Sequence, residues 1–185
     1  MNLLKRISFI LIAVLIMTAC AALAGDDKDA EKRAEIDAMA DDTLKELFAA
    51  NTGAKDLYAK AYGHAVFDNL KIAIGISGGG GSGVAVAKAG ERTYMKMGTG
   101  GIGFGLGGQK YQVIFLFQTE DAFRSFVDKG WQADASAQAA AGEAGTGAVA
   151  TFKNGVAFYQ MTEEGLMASA DITGTKYWKN DDLNK

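Results

Sequence analysis

Glycine occupies every second position at Gly101, Gly103, Gly105 and Gly107, with Ile102, Phe104 and Leu106 between them. In an extended strand successive side chains point to opposite faces, so this pattern gives one bare face and one bulky face. A bare face weakens a strand, and the usual reason to keep it is the close approach of another backbone. The same economy recurs in Gly75, Ser77 and Gly79, in Ala133, Ala135, Ala137, Ala139 and Ala141, and in Ala168 and Ala170. Several strands that each present a small-residue face point to a tight barrel or to closely stacked sheets.

The segment "MKMGTGGIGFGLGGQKYQVIFLF" also contains a G-x-G-x-x-G match at Gly98, Gly100 and Gly103. A dinucleotide fingerprint needs a glycine turn that leaves a strand and opens a helix, whose N-terminus meets the pyrophosphate. Here Tyr111 to Phe117 follows, aromatic and β-branched with no helical period, and no Walker lysine follows Gly108. The context excludes a nucleotide cradle.

The N-terminus reads as an export signal, residues 1–19. Lys5 and Arg6 are followed by an apolar run from Phe9 to Met17, and Thr18-Ala19-Cys20 fits the end of a lipoprotein signal, with Met17 departing from the usual residue type. Cys20 is the only cysteine, so no internal disulfide can form, and a lipid-attachment role suits it. Two alternatives stay open: cleavage after Ala24, or an uncleaved anchor over residues 7–24. Residues 20–30 read as a short tether, and 31–185 as a single domain. Removing Lys5 and Arg6 leaves 17 basic against 22 acidic residues. That balance, with no basic cluster among aromatics, argues against nucleic acid as a partner.

From Glu31 the pattern is helical, with Ile36, Met39, Ala40, Leu44, Leu47 and Phe48 at spacings of three and four. A second short helix is expected over 54–62. Proline is absent and glycines number 24, so turns must rest on Gly, Asn and Asp. Strands are expected near 71–77, 83–89, 91–97, 101–107 and 111–117, with turns at Gly78–Gly81, Ala89-Gly90 and Gly107-Gly108. "TEDAFRSFVDKG" predicts a helix capped by Thr119 and closed by Gly130. Further strands are expected at 131–141, 147–153, 156–161 and 166–173, with a hairpin at Asn154-Gly155 and a last strand in "TKYWK". The fold class is α+β: N-terminal helices, then a curled antiparallel, barrel-like sheet with one inserted helix.

No catalytic constellation emerges. His64 is the only histidine and reads as a partly buried structural residue; one imidazole makes neither a zinc site nor a triad. The acidic pairs read as solvated, and no metal or cofactor is expected. "SGGGGSG" at Ser77–Gly83 reads as a flexible turn, with an anion-binding nest as the alternative.

Three blocks in order resemble the SYLF family of lipid-binding domains, in its exported bacterial lipoprotein form. They are "AKAYGHAVFDNLKIAIGISGGGGSGVAVA", the segment from Gly98 to Gly145, and "GVAFYQMTEEGLMASADITGTKYW". Together they cover roughly Ala59 to Trp178, with Asp68 standing where family members carry a proline. The resemblance implies a non-catalytic domain whose partners are membrane lipids, here anionic phospholipid. With Ala21 after the cysteine, the expected location is the periplasmic face of the outer membrane. Lys71, Lys88, Arg92, Lys96 and Lys110, gathered on one face, would supply the local positive potential that an anionic surface needs. The alternative is a scatter of solubilising charges. A scaffolding domain without a ligand and a small transmembrane β-barrel are the competing functions.

The lipoprotein reading has a direct check. Two or more acyl chains hold a protein stably on a membrane, whereas the unacylated chain lacks that anchor. Cys20→Ser is expected to yield an unprocessed or released form on fractionation. A mutant that migrates and partitions like the parent would move the cleavage site to Ala24.

Overall fold

The computed structural model describes residues 3–132, 151–162, 165–166 and 174–185, with the backbone alone described at 3–26, 73–76, 102–106, 132 and 165. It divides into two units, Met1–Glu35 and Ile36–Lys185. The first is the leading part of a long helix, α1 (Leu3–Ala50), with an exposed Lys32–Glu35 ion pair of 3.0 Å. The second holds the rest of α1, then α2 (Thr52–Lys60), β1 (Gly63–Ala87), β2 (Arg92–Phe117), α3 (Glu120–Lys129), β3 (Trp131–Gln132), β4 (Val156–Thr162), β5 (Gly165–Leu166) and β6 (Thr175–Lys179).

The helices begin and end where their capping residues stand. Asn51 accepts a hydrogen bond from the Ala54 amide at 3.0 Å and opens α2. Thr119 accepts one from the Ala122 amide at 3.3 Å and opens α3, with Glu120 and Asp121 at the positive end of its dipole. Gly130, at φ +70°, closes α3. Asn154 and Gly155 both take positive φ, 52° and 79°, which makes the tight turn between Lys153 and Val156.

The five strands anticipated between residues 71 and 117 are fused into two. β1 pairs antiparallel with β2 from Gly63↔Phe117 to Val86↔Arg92, joined by the turn at Lys88–Gly90. The glycine runs placed at turns lie inside these strands instead. Gly78 pairs with Gly100, Gly80 with Gly98, and Ile72 with Gly108. None of Gly78 to Gly81 has positive φ, so Ser77–Gly83 is ribbon, neither a turn nor an anion nest. Glycine permits a turn but does not require one, and pairing on both sides satisfies the backbone more completely.

The glycines serve a different geometry. A Cβ at Gly79 would lie 2.5 Å from the Leu70 carbonyl oxygen, one at Gly81 would fall on that of Asp68, and one at Gly83 on that of Val66. A Cβ at Gly63 would be 2.9 Å from the Val86 oxygen. As the glycine number rises by two, the partner's falls by two. The second half of β1 therefore runs back along its first half, about a turning point near the register shift between Ile74 and Ile76. The close approach that the alternation implied is real at Gly79, and it continues at Gly81 and Gly83, which the alternation did not include. It is absent at Gly101, where the nearest atom would be 3.5 Å away, and at Gly107, which has open space. Gly103 and Gly105 are described by backbone alone, and Ala133–Ala141, Ala168 and Ala170 lie outside the described residues.

β2 is the spine of the sheet. One edge pairs with β1 throughout; the other pairs with β6 over Met95–Thr99 and with β4 over Tyr111–Phe117. β3 extends the sheet beyond β6, and β5 beyond β4. The order is β3-β6-β2-β4-β5 with β1 alongside, and among the described residues this curled antiparallel sheet does not close into a barrel. Alternation along β2 sorts the core. Val113, Phe115 and Phe117 face α3, whose Phe126 ring lies 5.1 Å from Phe115 and 4.9 Å from Phe117. Ile114 and Leu116 join Ile36, Ala40, Leu44 and Leu47 of α1 on the other face. Both faces are covered, which is why "YQVIFLF" reads as nearly continuous apolar sequence.

The doubled-back strand fixes a stability contrast. Gly81→Ala drives a methyl into the Asp68 carbonyl and is expected to cost about 1–3 kcal/mol or more. Gly100→Ala meets open space at negative φ and is expected to be neutral or stabilising by about 0.5–1 kcal/mol. Urea denaturation of both variants decides it: equal effects would refute the close approach.

Candidate functional site

Of the five cations singled out from sequence, Lys88, Arg92 and Lys96 fall at or near strand ends and Lys71 and Lys110 lie inside β1 and β2, and the structure sorts all five into three environments. Arg92 opens β2 and turns toward α1, with Nη1 2.7 Å from Asp37 Oδ1. The Tyr94 hydroxyl donates to Asp37 Oδ2 at 3.1 Å, so this carboxylate straps α1 to the sheet. Lys96 Nζ lies 3.7 Å from Asp182 Oδ2. Asp182 has its carboxyl held below the usual range by Lys185 first and Lys96 second. These two cations are engaged with acidic partners and serve the fold.

Lys88 sits in the turn between β1 and β2, where Nζ donates to the Ala59 carbonyl at 3.5 Å and the backbone amide donates to Tyr62 at 2.7 Å. It borders a cavity of about 260 Å³ whose walls include Tyr58, Tyr62, His64 and Val86. The His64 ring packs 5.0 Å from Tyr58, and burial, reinforced by the charge of Arg92, holds its pKa down to about 4. The imidazole is neutral at physiological pH. The neighbouring Glu91 is gripped by Arg124 through two hydrogen bonds of 3.0 and 2.8 Å, which tie the turn to α3.

Lys71 and Lys110 occupy the opposite end of the ribbon. The register sets Lys110 across from Leu70 and Lys71 across from Gln109, so the two cations stand one residue apart in register on opposite faces of the paired strands. Lys88 is level with Tyr62 through their hydrogen bond, and Lys71 lies nine residues further along β1. At about 3.3 Å per residue, the two ends are separated by about 30 Å of strand. The expected single basic face therefore resolves into one pair near the bend, with Lys88, Arg92 and Lys96 elsewhere.

Beside that pair lies a feature the sequence reading did not single out. Leu70 is 43% and Ile72 50% exposed, whereas the other large aliphatic side chains among the described residues of the domain are largely covered. They share one face with Lys110, and opposite Ile72 stands Gly108. A glycine there offers no cross-strand side chain to cover the isoleucine. The paired glycines at 107 and 108 were the available signal, and their apparent fitness for a turn concealed it. Asp68, two residues before Leu70, is also exposed and accepts a hydrogen bond from Gln112 Nε2 at 3.3 Å. Beyond these residues the ribbon carries no charge, from Ile72 to Ala87 on one strand and from Met97 to Gly108 on the other. Among the described residues, no helix is long and apolar enough to cross a membrane.

Comparison with known proteins adds two findings. Residues 98–185 match the Ysc84 family model, described as a Las17-binding protein actin regulator. Beta cell expansion factor A of Aeromonas veronii is 42% identical over 156 residues, which is 84% of this chain. The chain spans 60% of that relative's length.

His64 gives the site region a pH signature. Its folded pKa of about 4 lies below the unfolded value near 6.5, so the unfolded chain takes up the proton first. The stability that burial of the neutral ring contributes is present above pH 6.5 and is lost as pH falls toward 4, by up to about 3 kcal/mol. Urea denaturation between pH 7 and 4 should show this loss, and His64→Gln should flatten the slope. An unchanged slope would mean that other groups govern it.

Proposed function

The chain belongs to the Ysc84 (SYLF) family, and from that premise we propose that it is a non-catalytic domain that binds membranes containing anionic phospholipid. Its place would be the cell envelope, held by acyl chains on Cys20 at the periplasmic face of the outer membrane. The observation behind the lipid reading is the position of Lys71 and Lys110, one on each face of the ribbon, next to exposed Leu70 and Ile72. Cations next to uncovered aliphatic surface match a bilayer's anionic headgroups and the acyl region beneath them. Net negative charge does not oppose this, since within a Debye length the local potential acts. Among the described residues the sheet faces are covered, with α1 on one and α3 on the other, which disfavours the lipid-facing girdle of a transmembrane barrel.

The roles of the five cations now separate. Lys71 and Lys110 are the lipid contacts of this proposal, and Arg92 and Lys96 are fold contacts. Each lysine near an anionic surface contributes about 1 kcal/mol, so Lys71→Ala with Lys110→Ala should weaken binding to phosphatidylglycerol vesicles by roughly tenfold or more. Arg92→Ala should lower thermal stability and leave vesicle affinity nearly unchanged. Co-sedimentation over a salt series tests both: affinity should fall as salt rises. Binding that ignores salt and the lysine pair, or that responds to Arg92 alone, would overturn the assignment.

A further inference from the structure

Several regions of the surface are charged, but exposed aliphatic surface and absence of charge coincide at the bend of the β1–β2 ribbon. We infer that this bend enters the bilayer, with Ile72 below the phosphate level and Leu70 and the ammonium groups of Lys71 and Lys110 at it. This rests on the membrane-binding reading above and adds to it a depth and an orientation.

Three observations carry the inference. First, the exposed aliphatic pair lies on one face of one strand, at residues 70 and 72, and exposure is greater at the position nearer the bend. Second, the polarity is graded along the ribbon. Asp68 with Gln112 comes first, then Leu70 with Lys110 and Lys71 with Gln109, then Ile72 with Gly108, and no charged residue follows through the bend. An element that crosses from water through headgroups into acyl chains needs that order: anion outermost, cations with Leu70 at the phosphates, Ile72 and uncharged ribbon beyond. Third, the backbone of the inserted part is already satisfied. β1 and β2 pair on either side of the register shift at Ile74 and Ile76, so their facing amides and carbonyls are matched before lipid is met, except at the shift itself, where Gly75 stands against residues 103–105. A single exposed strand would bring unpaired groups into the acyl region; a paired ribbon brings fewer.

The orientation follows. The turn at Lys88–Gly90, the Arg92–Asp37 strap and the Glu91–Arg124 clamp all lie at the ribbon's other end, so they face water. Asp68, the anion nearest the bend along the ribbon itself, stays above the phosphates and limits the depth.

The chain's single cysteine makes the test clean. In a Cys20→Ser background, Ile72→Cys and Ala89→Cys each give one labelling site for an environment-sensitive nitrobenzoxadiazole fluorophore. The full-length variants are mixed with vesicles of phosphatidylglycerol and phosphatidylcholine, with and without lipids spin-labelled on the acyl chain. The label at 72 should shift to the blue and be quenched by the acyl spin label, and the label at 89 should do neither. Leu70→Asn with Ile72→Asn, at exposed positions where folding is retained, should weaken binding tenfold or more. Vesicles that bind while the label at 72 stays in water overturn insertion and leave membrane binding standing. Equal quenching at 72 and 89 overturns the orientation. Absence of binding to any vesicle overturns both this inference and the reading beneath it.

Discussion

The contact on which the rest depends is backbone against backbone within a single strand. β1 runs back along itself because Gly79, Gly81 and Gly83 present hydrogens where any side chain would strike the carbonyls of Leu70, Asp68 and Val66. Once that contact forms, β2 must bend with β1, since the two are paired along nearly their whole length. The bend divides the outer edge of β2 into two docking stretches, one taken by β6 and the other by β4. The concave and convex faces that result are filled by α3 and α1. Helix placement, strand order and the position of the aromatic core all follow from three missing side chains.

Coverage then determines where the molecule can meet a partner through apolar surface. Phe67, Phe115 and Tyr177 close one face, with ring centroids of Phe67 and Tyr177 4.8 Å apart. Leu47, 0% exposed, helps to close the other. Leu70 and Ile72 belong to neither buried cluster, and Gly108 opposite Ile72 gives it no cross-strand shelter. The glycine-rich composition that permits the bend thus also leaves Ile72 open.

Much of this was legible in the sequence, and the failures have a common cause. The helix periodicity at Ile36, Ala40, Leu44 and Leu47, the caps at Thr119 and Gly130, the Asn154-Gly155 turn and the strand in "TKYWK" are local signals read by local rules. The small-residue alternation correctly announced a close approach but not its location, because the partner of Gly81 is thirteen residues away in the same strand. The glycine runs were read as turns because glycine permits both turn and strand, and only pairing across the ribbon selects between them. Likewise Arg92 and Lys96 looked like surface charges until Asp37 and Asp182 were brought beside them from distant parts of the chain. Charge patterns that depend on tertiary neighbours cannot be sorted from spacing.

The ribbon also shows how register is stored. Side chains alternate with a period of two, so a slip of one residue would send Phe67 and Phe115 toward α1 and Val66 and Ile114 toward α3. The glycine-rich middle has few side chains with which to resist such a slip. Discrimination therefore resides at the two ends, in the aromatic block near Phe117 and in Val84 with Tyr94 near the turn. Between them the chain acts as a spacer whose residue count and parity matter more than its letters, apart from the three glycines at the fold-back. A change of length there by one residue has to be absorbed at the shift between Ile74 and Ile76, or else it inverts one half of the sheet relative to the other.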